Sequence, residues 1–329
     1  MSRLDSSSAR SAHPKGYPWL DALPVLPDSP GAYRWFYADV TAGGYSAVFI
    51  FMVGSLFSPR YSARARRGAL PLEHCAVNFA LYHRGQRRRW VLSEYPGASV
   101  QRQGRALRIG RSLLEYSPDG TVRMEVDERC APFGGEVRAR LVLEPQVQAA
   151  EEVQLVPGLP HFWRALALRA KARLEVFTEG VVSEGMGYHD SNHGAELLGA
   201  RLPGWHWARV HGPEETVVDY HLPGAVAPLR VTAGALGTTS ERRPLLSEAR
   251  RTSLTGWGLR VPARLYSGNT VVGEPRLLES SPFYARVEAR RDGLDVMGEV
   301  ADFRRFHSPF IRWMAHFRTR VERGGERVT

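Results

Sequence analysis

Arg34-Trp35-Phe36-Tyr37-Ala38-Asp39-Val40, the pair Gly43-Gly44, and the run from Tyr45 to Val53 with Phe49-Ile50-Phe51 inside it are the stretch from which the fold is read. Aromatic and β-branched residues fill both runs, which suits a pleated surface better than a helix. Gly43-Gly44 makes the turn between them, and Gly54-Ser55-Leu56-Phe57-Ser58-Pro59 ends the second strand.

Downstream the same texture continues. His74–Tyr82, Arg89–Glu94, Val100–Gln103, Ala106–Ile109, Leu113–Tyr116, Val122–Asp127 and Val137–Leu143 are short strands, with Arg84-Gly85 and Pro118-Asp119-Gly120 as hairpin turns. No sustained 3.6-residue periodicity interrupts them before residue 150. Val156-Pro157-Gly158-Leu159-Pro160 reads as a boundary, and strands resume at His161–Ala170 and run on to Asp295–Asp302. The expected fold is all-β: two consecutive antiparallel barrel- or sandwich-like units, 31–155 and 156–329, sharing an interface. Residues 1–30 are expected to be a disordered or extended leader, with four prolines between Tyr17 and Pro30. One helix is expected, at about 308–321, with Ser308 as cap and Pro309 in its first turn. Phe310, Met314 and Phe317 share a face of it, which suits either packing across a barrel mouth or lying on anionic lipid.

At 329 residues, 43% of them hydrophobic, the chain is long enough to bury a large core. Its formal charge of +10 comes almost wholly from arginine, since Lys15 and Lys171 are the only lysines. No zinc-finger spacing or RNA-binding motif accompanies the basic excess, so nucleic acid is not an expected partner. Cys75 and Cys130 lack metal-ligand or disulfide-framework spacing. No apolar signal segment is visible, and the run Ala47–Val53 is too short to span a bilayer as a helix. A cytoplasmic protein is expected.

The chemistry concentrates in Gly185-Met186-Gly187-Tyr188-His189-Asp190-Ser191-Asn192-His193-Gly194 and Trp205-His206-Trp207-Ala208-Arg209. Asp and Asn rarely enter an apolar interior unless hydrogen-bonded. On an extended segment Tyr188 and Asp190 face the same way, and Trp205 and Trp207 share a face. A metal site built on His189, Asp190 and His193 is disfavoured, because neighbours on a strand point apart. Nucleophile elbows and phosphate loops are missing, and Gly185-Met186-Gly187 lacks the third glycine of a dinucleotide fingerprint. That leaves Asp190 among aromatic rings. Burial raises the pKa of a carboxyl group, so it can stay protonated and protonate an alkene. Aromatic faces would then hold the resulting cation. Trp205 and Trp207 serve either that cage or the plain core, and an Arg209–Asp190 pair would hold the carboxylate ionised and oppose the donor role.

Phe57-Ser58-Pro59-Arg60-Tyr61, His74-Cys75-Ala76-Val77-Asn78, Gly187-Tyr188-His189-Asp190-Ser191-Asn192, Trp205-His206-Trp207-Ala208-Arg209 and Ser281-Pro282-Phe283-Tyr284 together resemble the carotenoid 1,2-hydratases, or hydroxyneurosporene synthases. The resemblance extends from about Trp35 to Arg320. It implies a lipocalin-like fold and cofactor-free addition of water to the terminal C1=C2 bond of acyclic carotenes such as neurosporene and lycopene. It further implies Asp190 as proton donor and Trp163 and Tyr188 as cation stabilisers. His161 would position or deprotonate water. Beside these four, Trp205, Trp207 and Asn192 are expected against the substrate. A C40 polyene dissolves in the bilayer, so peripheral contact with the inner membrane is expected, aided by the arginine-rich exterior. The rival expectations are a β-fold isomerase or cyclase of a terpenoid or polyketide, and a non-catalytic binder of an apolar ligand.

Overall fold

A computed structural model of the chain describes residues 24–322, apart from 56, 131–133, 148, 200, 223–226, 236, 243–250, 268–269 and 307. Most of the expected leader therefore lies outside the described residues.

A 13-stranded sheet takes up the first part of the chain. Its strands are β1 (Tyr33–Ala42), β2 (Tyr45–Val53), β3 (Cys75–His83), β4 (Gln86–Tyr95), β5 (Val100–Gln103), β6 (Ala106–Ile109) and β7 (Ser112–Tyr116). They continue with β8 (Val122–Arg129), β9 (Glu136–Pro145), β10 (Val153–Gln154), β11 (His161–Val176) and β12 (Val181–Gly194). A short helix, α1 (Pro59–Ala65), links β2 to β3. The second sheet has seven strands: β13 (Gly204–His211), β14 (Thr216–His221), β15 (Leu229–Gly234), β16 (Gly237–Arg242), β21 (Arg276–Ser280), β22 (Tyr284–Arg291) and β23 (Leu294–Asp302). Two small ribbons, β17–β18 (Thr252–Leu254, Arg260–Pro262) and β19–β20 (Leu265–Ser267, Thr270–Gly273), precede β21. The described chain closes with α2 (Phe303–Phe306), α3 (Pro309–Arg318) and β24 (Arg320–Val321), which adds to β4 in parallel.

The opening hairpin forms as the sequence dictates, with Ala42 opposite Tyr45 and both Gly43 and Gly44 at positive φ. Its strands are buried along nearly their whole length because they serve two cores. On one side Phe36, Ala38, Val40, Phe49 and Phe51 join Leu114, Met124 and Leu141 inside the curl of the large sheet. On the other side Trp35, Tyr37, Ile50 and Met52 pack against Trp205, Trp207, Val218 and Met297 of the second sheet. Period-two alternation therefore separates aliphatic from aromatic faces here, rather than apolar from polar.

The change of sheet falls after Gly194. The Val156–Pro160 segment, read as a boundary between units at 155 and 156, instead connects β10 to β11 within the large sheet. Proline and glycine stop pairing locally there without ending the sheet. The helix expected at about 308–321 is confined to Pro309–Arg318, and Ser308 makes no side-chain cap bond. Residues 320–321 turn instead to strand pairing with β4.

Candidate active site

β12 lies between β1 and β11, and three cross-strand rows carry the site. Tyr37 and Ala165 flank Asp190, Trp35 and Trp163 flank Asn192, and Tyr33 and His161 flank Gly194. Directly opposed residues share a face of the sheet, so all of these turn toward the second sheet. A register shift between Ala165 and Ala167 bulges β11 beside Asp190, a common device for re-aiming side chains near a site.

Asp190 is almost fully buried. Its Oδ2 accepts from Trp163 Nε1 at 2.9 Å and from the Tyr188 hydroxyl at 2.7 Å, while Oδ1 accepts from Asn192 Nδ2 at 3.1 Å. Burial pushes its pKa up to about 7, the bonds from Trp163 and Tyr188 pull it down, and the charges of Glu299 and Asp39 raise it. Arg209 does not reach it. That guanidinium, itself fully buried, bonds Asp39 across the sheets and lies 3.5 Å from an Asp295 carboxylate oxygen.

His161 is buried and neutral: desolvation, and secondarily the nearby His193, lower its pKa to about 3. Its Nδ1 bonds the Tyr33 hydroxyl at 2.6 Å, and its ring lies against Trp35 at 5.8 Å. With the hydroxyl donating, the imidazole proton sits on Nε2, which makes no hydrogen bond among the described residues. The Tyr33–His161 bond spans β12 because Gly194 lies between them. A Cβ at 194 would come within 2.4 Å of the Tyr33 hydroxyl oxygen. Gly194→Ala is therefore expected to break that bond and lower turnover by up to about tenfold, the worth of one net hydrogen bond, while Gly135→Ala, where a Cβ meets nothing within 4 Å and the backbone is not left-handed, leaves turnover unchanged; steady-state rates decide.

The second sheet closes the site with Trp205, Trp207 and Tyr220. Trp205 stacks on Trp35 at 5.6 Å, Trp207 meets Tyr37 and Tyr188 at 5.3 Å each, and Tyr220 is edge-on to Trp163 at 5.8 Å. A small cavity remains, lined by Trp35, Tyr37, Asp190, Asn192, Trp205, Trp207, Tyr220 and Glu299. Four of these walls (Trp35, Tyr37, Trp205 and Glu299) also line a larger apolar groove enclosing about 1100 Å³, its mouth included. Ile50, Met52, Phe57, Trp90 and Leu92 extend that groove toward Ile311 and Met314 of α3. Several buried polar atoms around the small cavity lack a partner among the described residues: Asn192 Oδ1, Tyr37 Oη and Trp207 Nε1.

Asp190, Trp163, Tyr188, Asn192, Trp205 and Trp207 thus come together, with His161 two residues along β11 from Trp163. His189 points to the opposite face, bonded to Tyr116 and to the Tyr37 carbonyl, and His193 pairs with Glu152 at the surface. The three therefore do not converge as ligands, and no cluster of three metal-ligating side chains occurs among the described residues. Sequence reasoning passed over Tyr33, Trp35, Tyr37 and Glu299. The first three alternate along β1, which was a usable signal. Glu299 shares the inward parity of Met297 and Ala301 on β23, a position where a carboxylate is out of place without a partner.

Fold and site define a lipocalin-like β protein whose sheets enclose an apolar groove ending at a buried carboxyl group. The model of the carotenoid hydratase CrtC family matches residues 49–327, so the chain belongs to that family and is, with it, a hydro-lyase. It is 33% identical over 302 residues to an acyclic carotenoid 1,2-hydratase of Thiocapsa roseopersicina, covering 88% of this chain and 73% of that one. It is 32% identical over 276 residues to the enzyme of the same name from Rhodobacter capsulatus, covering 80% and 94%. Its fold is similar to the crystal structure of an AttH-like protein of Nitrosomonas europaea, with TM-score 0.59, 13% identity and coverage of 91% and 99%.

Proposed function

We propose that the protein adds water across the terminal C1=C2 bond of acyclic carotenoids of the neurosporene and lycopene type, by acid catalysis through a tertiary carbocation and without a cofactor. One observation carries this reading: a buried, largely desolvated carboxyl group faces an aromatic cavity at the end of an apolar groove. Oδ2 already accepts two hydrogen bonds and Oδ1 only one, so the acidic proton belongs on Oδ1. It passes to C2, leaving positive charge on C1. The faces of Trp35, Tyr37, Trp205, Trp207 and Tyr220 stabilise that charge, each by roughly 0.5–2 kcal/mol, while Trp163 and Tyr188 hold the new carboxylate. His161 Nε2–H and Asn192 Oδ1 orient water. Protonation followed by capture of water exchanges no electrons, which is why the chemistry asks for no redox group. The test is co-expression in a lycopene- or neurosporene-producing host. A product heavier by one water supports hydration; an isomer of unchanged mass favours the isomerase or cyclase alternative, and recovered unaltered pigment favours a binder.

The substrate enters, on this proposal, from the cytoplasmic surface of the inner membrane past α3. Ile311, Met314 and Ala315 line the groove, while Phe310, Trp313 and Phe317 lie 61%, 56% and 61% exposed. Those three rings form a continuous row, Phe310–Trp313 at 6.0 Å and Trp313–Phe317 at 4.7 Å. Arg305, which lines a surface hollow together with Phe310, adds positive charge at that end of the row, and amphipathic helices of this kind rest at the headgroup boundary. No helix among the described residues is long and apolar enough to cross a membrane. The triple variant Phe310→Ser, Trp313→Ser, Phe317→Ser is expected to lose at least about tenfold in binding to phosphatidylglycerol-containing vesicles, from the apolar area withdrawn. Its turnover of detergent-dispersed carotene should be unchanged; co-sedimentation and product analysis check both.

A further inference from the structure

Acid-catalysed hydration leaves one proton to be placed. Water that has bonded to C1 carries a surplus hydrogen, and the acceptor must lie at the same cavity. His161 is poorly suited, because a neutral imidazole held in so apolar a setting is a very weak base.

We infer that Glu299 is the base, taking the proton from the attacking water on the wall opposite Asp190. Both carboxyl groups line the same small cavity, Asp190 from β12 of the large sheet and Glu299 from β23 of the second. Opposed sheets place them on the two sides of an inserted alkene end. Arg286, cross-strand neighbour of Glu299 and fully buried, donates from Nε to Glu299 Oε1 at 3.0 Å and lies 3.2 Å from Glu279. Its remaining donors go to the Tyr82 hydroxyl at 2.8 Å and the Tyr284 hydroxyl at 2.7 Å. Glu299 Oε2 makes no hydrogen bond among the described residues. One guanidinium thus stands between two carboxyl groups, Glu299 facing the small cavity and Glu279 facing the groove, where Arg318 is a second nearby cation. Glu299 also helps to keep the Asp190 proton in place from across the cavity. An acid and a base held apart by different surroundings divide the two proton transfers between them.

The step balances. The Asp190 O–H bond breaks as C2–H forms; the water oxygen bonds C1; a water O–H bond breaks and that proton moves to Glu299. Solvent then discharges Glu299 and recharges Asp190, so that one water is consumed.

The inference presupposes the hydration chemistry proposed above, and a reaction run in D2O separates the two. Asp190 recharged with deuterium labels C2, and a cation that fails to capture water returns labelled alkene. Glu299→Gln keeps an acceptor for Arg286, so the cluster remains bonded. It is expected to cut hydration by about 10²-fold or more, as loss of a general base does. Deuterium incorporation into recovered carotene should persist, raising the ratio of exchange to hydration at least tenfold, and Glu299→Asp should restore part of the hydration. Parental hydration in Glu299→Gln, or equal loss of exchange and hydration in it, overturns the assignment of Glu299 as base. Absence of both exchange and hydration in the parental protein overturns the hydratase reading itself.

Discussion

Asp190→Asn is expected to abolish hydration, by about 10²–10⁴-fold, while leaving a folded protein that is at least as stable as the parent at pH 8. The asparagine fits the same pocket. Its carbonyl oxygen can accept from Trp163 and Tyr188, and once the Asn192 amide, which now points its Nδ2 at this position, turns over, its amide can donate to Asn192 Oδ1. Stability follows from linkage. The folded-state pKa of Asp190 is raised from 3.8 to about 7, so between about pH 4 and pH 7 the folded chain holds a proton that the unfolded chain has lost. Stability therefore falls as pH rises through that window, by a total of roughly 4 kcal/mol at 1.36 kcal/mol per unit. The amide variant is free of this loss. Parental activity carries the matching limb, because a general acid must be protonated: rates should drop tenfold per unit above about pH 7. Product mass, a pH–rate profile and melting curves at pH 5 and pH 8 check the three statements together. A fully active Asp190→Asn protein would remove the acid from the mechanism.

Arg209→Met should produce the largest loss of stability, about 3–5 kcal/mol, the usual consequence of removing one partner from a buried ion pair. Arg209 is inaccessible to solvent and lies between Asp39 of β1 and Asp295 at the start of β23. Burial alone would lower its pKa, but attraction to Asp39 and Asp295 outweighs burial and leaves it raised, so the guanidinium stays charged. Methionine fills much of the volume and leaves the Asp39 carboxyl without its ion-pair partner. Adding Asp39→Asn to Arg209→Met is expected to recover most of the loss, since charge and countercharge then disappear together. Urea denaturation of the two single variants and the double variant measures this. A single variant within 1 kcal/mol of the parent would mean that the pair does little to hold the sheets together.

The opening hairpin was legible because a glycine pair stands between two β-forming runs. The spacing of Tyr188 and Asp190 likewise placed two side chains on one face without reference to any partner strand. Trp163 could not be joined to them by spacing, and only resemblance supplied it, because the link is the antiparallel register of β11 on β12. Turn chemistry misled at Val156–Pro160, where proline and glycine mark a reversal inside a sheet as readily as an exit from one. Glu299 stayed hidden for a related reason. Its partner Arg286 lies across a hairpin, and the cavity it faces is completed by a different sheet. Local pattern reports which way a side chain points, and the tertiary arrangement decides what it meets.

β1 is the partition between two compartments, with aliphatic side chains filling one and the aromatic site the other. Neither compartment owns that wall. A fragment ending near residue 194 would keep the large sheet except for β24 yet leave Trp35, Tyr37 and Tyr188 bare to water, and the second sheet alone would have nothing to close against. The aromatic chamber is thus not a module that recombination could lift out whole. It exists only where both sheets meet, and whatever loosens their seam opens the chamber to bulk water.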